Sequence, residues 1–116
     1  ERNKRVESSP DTYIRHLYTH IRHKRSKTHT FSISAEDLIE LYYQQDGCCA
    51  LSGLPMTFIK DGSGRHDTNI SIDRIDNAGG YTEDNLQLVC SAVNMMKYTM
   101  DMEDLVSWCE LIATEE

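Results

Sequence analysis

A chain of 116 residues holds one small domain, which buries roughly 65% of the surface of its unfolded form. No apolar run approaches the roughly 18 residues that cross a bilayer, and the first residues lack the charged-then-apolar order of a signal peptide, which excludes a helical membrane protein and makes an intracellular, non-secreted protein the expectation. The net charge of −7 does not exclude a polyanion partner, because the charges are segregated: residues 1–30 carry eight of the twelve Lys and Arg against three acidic side chains, and the remaining 86 residues carry four against sixteen.

Residues 1–8 are polar and aperiodic and read as a flexible leader. Because residue 1 is Glu rather than Met, a longer natural chain with an upstream domain, or a removed tag, is expected before it. Ser9 and Pro10 then form a helix start, and Ile14, Leu17, Tyr18 and Ile21 fall at helical spacing, so a basic amphipathic helix is expected within residues 9–30. Its polar side and the cluster after it present Arg15, Arg22, Lys24, Arg25 and Lys27, suited to phosphate-backbone contacts or to plain solvation.

Phe31 to Ile33 read as an extended link. Ser34 with Asp37 resembles a capping box ahead of a second helix striped by Leu38, Leu41 and Tyr42, which Asp46-Gly47 ends. Residues 48–68 read as irregular, with Asp61-Gly-Ser-Gly64 an exposed loop. From Asn69 the period becomes two: Ile70 and Ile72, then Leu86, Leu88 and Cys90, flank Asn77-Ala-Gly-Gly-Tyr-Thr82, which predicts a hairpin with a wide turn. Ser91 to Lys97 is a helical candidate, and Leu105, Trp108, Cys109 and Ile112 predict a closing amphipathic helix. The fold class is therefore α+β.

The stretch from Ser71 to Lys97 runs strand, turn, strand, helix, with an Asp-Arg-Ile-Asp strand, a Gly-Tyr-Thr turn, an Asn-Leu-Gln-Leu-Val-Cys strand and an Asn-x-x-Lys helix. In these features it resembles the HNH (ββα-metal) endonucleases, particularly a phage-type subgroup, over about residues 47–112. The resemblance implies a nuclease domain over residues 31–116, its ββα core at about 69–97 with added N-terminal and C-terminal helices, in a bacterial or viral host. It also implies hydrolysis of DNA phosphodiesters with one divalent cation, Mg²⁺ or Mn²⁺, held by Asp73 and Asn94. A hard cation takes oxygen donors, and two from the protein leave positions for water and phosphate. Asn85 matches the family's central Asn, which ties the inter-strand loop to the backbone. Lys97, one turn past Asn94, is either a phosphate contact or a solvated surface group.

One departure concerns the base. Where most members have a His directly after the first ligand, this chain has Arg74, which stays protonated and can clamp phosphate but cannot take a proton. His66, Asp76 and water activated by the cation itself are the candidates left. The family's zinc positions are half empty as well: Cys49-Ala-Leu-Ser52 and Cys90-Ser-Ala-Val93 stand for two Cys-x-x-Cys pairs, so a structural zinc is not expected, and reduced, buried thiols are. Leu51, Val89, Trp108 and Ile112 are the expected core in its place. A homodimer cutting both strands is compatible with the sequence. Two other classes stay open: an HNH-fold DNA-binding module without catalysis, and a protein-interaction or regulatory domain whose acidic body meets a partner.

Overall fold

The computed structural model describes residues 9–114; the leader at residues 1–8 lies outside them. The chain is α+β, with four α-helices and one two-stranded antiparallel sheet among the described residues. No helix among them is long and apolar enough to cross a membrane.

Helix α1, Pro10–Arg25, begins where Ser9 accepts the Thr12 amide at 3.1 Å and Pro10 supplies a helix-ready φ. It buries Ile14 and packs on α2, Ala35–Gln44. The Ser34/Asp37 capping box is complete: each side chain accepts the other residue's amide, at 3.1 and 3.0 Å. Asp46 and Gly47, both at positive φ, then turn the chain. Gln45 has a role that its type does not announce. Its side-chain amide pairs with both the N–H and the C=O of Leu88, as a neighbouring strand would, and so fastens the end of α2 to the sheet.

Strands β1, Ile70–Arg74, and β2, Leu86–Cys90, pair in the register Ile70↔Cys90 to Arg74↔Leu86. This places Asp73 opposite Gln87 and puts Ser71 and Asp73 on one face. A turn of 3-10 helix, Glu83–Asn85, leads into β2, and α3, Ser91–Lys97, follows it without a loop. Ile14, Leu38, Leu88 and Val89 are the fully buried centre, where α1, α2 and β2 meet. Leu51 packs at its edge.

Helix α4, Met102–Thr114, corrects one expectation. Its period is helical, yet only Leu105 is buried; Trp108 is 57% and Ile112 72% exposed, so neither belongs to the core. An apolar stripe says that a helix has a face, not that something covers it.

The link after α1 crosses the hairpin turn closely. Tyr81 N–H donates to Thr30 O at 2.7 Å and Ser32 N–H to Tyr81 O at 3.0 Å. Gly80 permits this approach, since a Cβ there would lie 2.6 Å from the Thr30 carbonyl oxygen. Gly80→Ala is therefore expected to destabilise the fold by about 1–3 kcal/mol, the usual cost of overpacking, read as a lower urea midpoint.

Candidate functional site

The site follows from a match between two periodicities. Ser71 and Asp73 are two residues apart on one face of β1, and Asn94 and Lys97 are three apart on one face of α3. With α3 packed across the hairpin, Asn94 meets Ser71 and Lys97 meets Asp73. The Asn94 amide nitrogen donates to Ser71 Oγ at 2.7 Å and to the Ile72 carbonyl at 3.3 Å. Lys97 Nζ donates to both Asp73 oxygens, at 3.0 and 2.8 Å, and to Arg74 O at 2.7 Å. Gln87 adds a cross-strand bond to Asp73 Oδ2 at 2.9 Å.

Lys97 is 0% exposed and Asp73 3%. This corrects the reading of Lys97 as a solvated group or a direct phosphate contact. It is the buried counter-ion of Asp73, and it braces the end of β1 through backbone carbonyls.

On the open side, Asp73 and Asn94 both line a cleft of about 240 Å³ beneath α1. Arg25 and Arg74 line it too, with Leu17, Ile21 and Tyr81 among its walls. Arg74 is held in place: one guanidinium nitrogen donates to Asn77 O and Gly79 O, each at 2.9 Å, and its carbon lies 5.4 Å from the centre of the Tyr81 ring. Most of its five N–H donors are not spent on those two bonds.

The other candidates stand elsewhere. His66 faces its own loop, its Nε2 3.0 Å from Asp61 Oδ1 and 3.2 Å from Ser63 Oγ, and does not line the cleft. Hydrogen bonds from Ser63 and then His66 hold the Asp61 carboxyl well below the usual carboxylate range. Asp76 caps the hairpin turn, accepting the Ala78 amide at 2.9 Å. Asn85 bridges that turn: its oxygen accepts the Asp76 amide at 2.9 Å, and its nitrogen donates to the carbonyls of Asp76 and Gly80 at 3.1 and 2.9 Å.

Of the basic residues of the first 30, Arg25 reaches the cleft, while Arg15 is turned to α2 and pairs with Glu36 at 2.8 Å. Arg22 and Lys27 border a separate polar hollow on the outer side of α1, and Lys24 is exposed. Ser71, Gln87 and Tyr81 are site residues that sequence reasoning missed. The first two could have been found by extending the strand period from Asp73 and reading across the hairpin.

The donor set fits a hard divalent cation held loosely. Three N–H bonds use most of the roughly four lone-pair positions of the Asp73 carboxylate, leaving about one. The Asn94 amide oxygen accepts no hydrogen bond among the described residues, since its nitrogen faces the strand. Two oxygens then remain for a cation that keeps most of its water. The Lys97 charge behind Asp73 opposes tight binding. Among the described residues no three His, Cys, Asp or Glu side chains converge.

Cys49 and Cys90 lie together. Cys49 Sγ accepts the Cys90 and Ser52 amides at 3.3 and 3.4 Å. Burial pushes the Cys90 thiol up, with the neighbouring Cys49 adding to it. For Cys49 burial acts in the same direction, but hydrogen bonds from Ser52 and the backbone outweigh it and lower the thiol. Cys48 turns away toward Asp46 O.

No protein-family model, curated protein or solved structure matches the chain.

Proposed function

We propose that the chain is a metal-dependent endonuclease of the HNH type, hydrolysing DNA phosphodiester bonds with one divalent cation, Mg²⁺ or Mn²⁺, at Asp73 and Asn94. The observation that carries the reading is that a hairpin and its following helix bring a carboxylate and an amide oxygen, 21 residues apart in sequence, to one cleft with two arginines. A bound cation supplies Lewis-acid stabilisation of the charge that develops on the phosphate.

The protein's own part is placement. Arg25 and Arg74 attract and orient the phosphodiester, and Tyr81 with the turn carbonyls keeps Arg74 from swinging away. Asn94, fixed through its nitrogen, presents its oxygen without having to be ordered on binding. Asp73 is held in one rotamer by Lys97 and Gln87. The cleft lining has no imidazole and no carboxylate besides Asp73 among the described residues, so these supply no free general base there.

That last observation, with the near-saturation of Asp73, favours one rival: a DNA-binding module that keeps the fold without catalysis. Plasmid nicking separates the two. The enzyme reading expects nicking with Mg²⁺ or Mn²⁺, none in EDTA, and a loss of ~100-fold in Asn94→Ala, the scale of removing one transition-state-stabilising group. Intact plasmid together with salt-sensitive binding identifies the module.

A further inference from the structure

Beside the cleft lies a larger groove, about 600 Å³, between α1 and the loop of residues 59–65. The two adjoin, since Leu17 and Ser71 line both. Their shared wall is one stripe of α1: Tyr13, His16, Leu17 and His20 face the groove, and Leu17, Ile21 and Arg25 the cleft. From Tyr13 to Arg25 the stripe is about 18 Å long at 1.5 Å per residue.

Cations line both hollows: Arg25 and Arg74 the cleft, Lys60 and Arg65 the groove. Lys60 Nζ lies 2.9 Å from His16 Nδ1, so the ammonium meets an imidazole rather than a carboxylate. Arg65 does share Asp67, at 3.0 Å, and also reaches Ser91 Oγ at 3.4 Å, both through one of its nitrogens. The one acidic group in the lining among the described residues, Asp61, spends Oδ1 on three bonds within its own loop, from the Ser63 amide, Ser63 Oγ and His66. Nothing in the proposed chemistry at Asp73 and Asn94 uses this groove.

We infer that the groove is a backbone-binding subsite: it seats the DNA strand on one side of the phosphodiester in the cleft, with Lys60 and Arg65 gripping its phosphates. This rests on the nuclease reading and adds to it a strand path and a direction along α1. Residues 59–65 act as the gripping loop, and Asn69 anchors it, its side chain bonding the Ile59 amide and carbonyl, each at 2.9 Å.

The test is fluorescence anisotropy with a labelled single-stranded 12-nucleotide DNA in EDTA, where cleavage plays no part. Lys60→Gln/Arg65→Gln changes exposed side chains, and circular dichroism checks its fold. The double variant is expected to bind at least ~5-fold more weakly at low salt. Its slope of log K against log salt is expected to be shallower by about 1.4, two phosphate contacts at about 0.7 each. In nicking assays the same variant should raise KM and leave kcat in place. If it binds with wild-type affinity and slope while Arg25→Gln weakens binding, the groove proposal is overturned and the nuclease reading stands. If the wild-type protein retains no DNA at low salt, the groove proposal falls, and plasmid nicking alone decides the nuclease reading.

Discussion

Lys97→Met is expected to cost about 3–5 kcal/mol of unfolding free energy, the largest stability effect expected at the site. The ammonium is wholly buried, and its removal leaves the Asp73 carboxylate, itself 3% exposed, with Gln87 as its one remaining side-chain partner among the described residues. Small domains hold only about 5–15 kcal/mol in total, so the variant should sit near the edge of folding at 25 °C. The effect lies in the unpaired charge rather than in the pair as such. Asp73→Asn/Lys97→Met, which removes both charges, should therefore recover much of the loss, because a neutral replacement of similar volume is often close to thermodynamically even. Urea denaturation followed by circular dichroism measures both variants. A loss under about 1 kcal/mol for Lys97→Met, the ordinary scale of an exposed pair, contradicts the buried geometry.

Asp73→Asn is expected to abolish nicking, and this is the largest effect on activity; circular dichroism checks its fold, since the neutral amide leaves the buried Lys97 ammonium without its counter-ion. The substitution keeps an oxygen for Lys97 to donate to but removes the anionic charge that a divalent cation needs, and no other carboxylate among the described residues lines the cleft to replace it. Asp73→Asn/Lys97→Met, which leaves no buried charge unpaired, is the control for structure and should lose nicking as fully. Rates for Asp73→Asn should fall to the EDTA background in Mg²⁺ and in Mn²⁺ alike. Nicking that survives the substitution while EDTA still abolishes it moves the cation away from Asp73.

Local signals in the sequence foretold most of the helices and the hairpin. Ser9-Pro10 and the Ser34/Asp37 box are chemistry between residues three or four apart, so they are legible without a fold. The alternation from Ile70 and from Leu86 likewise requires strands, and a two-sided turn between them leaves one pairing direction. What was not legible depends on long-range partners. The burial of Lys97 follows from Asp73, 24 residues earlier; a lysine near the end of a helix otherwise reads as solvated. Gly80 looks like any turn glycine until the Thr30 carbonyl arrives against it. Trp108 and Ile112 share the period of Leu105 but not its cover, because α4 meets the rest of the described chain mainly through α3.

The site was legible in part for the same reason. Asp73 and Asn94 were singled out by a motif, and their convergence on one cleft depends on α3 crossing the hairpin at the correct height. Nothing local could say that His66 would turn to Asp61, or that Asp76 would cap its own turn. Both are polar groups close in sequence to the strand, and short-range partners claimed them first.

The claim on which the nuclease proposal depends is that one cation bridges Asp73 and Asn94. A crystal soaked in tens of millimolar Mn²⁺, enough to offset the repulsion from Lys97, tests it by anomalous diffraction. A single peak is predicted in the cleft, within ordinary coordination distance of one Asp73 carboxylate oxygen and of the Asn94 amide oxygen, with water at the remaining positions. Manganese bound elsewhere, or a cleft in which the Asn94 oxygen faces β1 and Asp73 contacts only Lys97 and Gln87 at saturating metal, contradicts it.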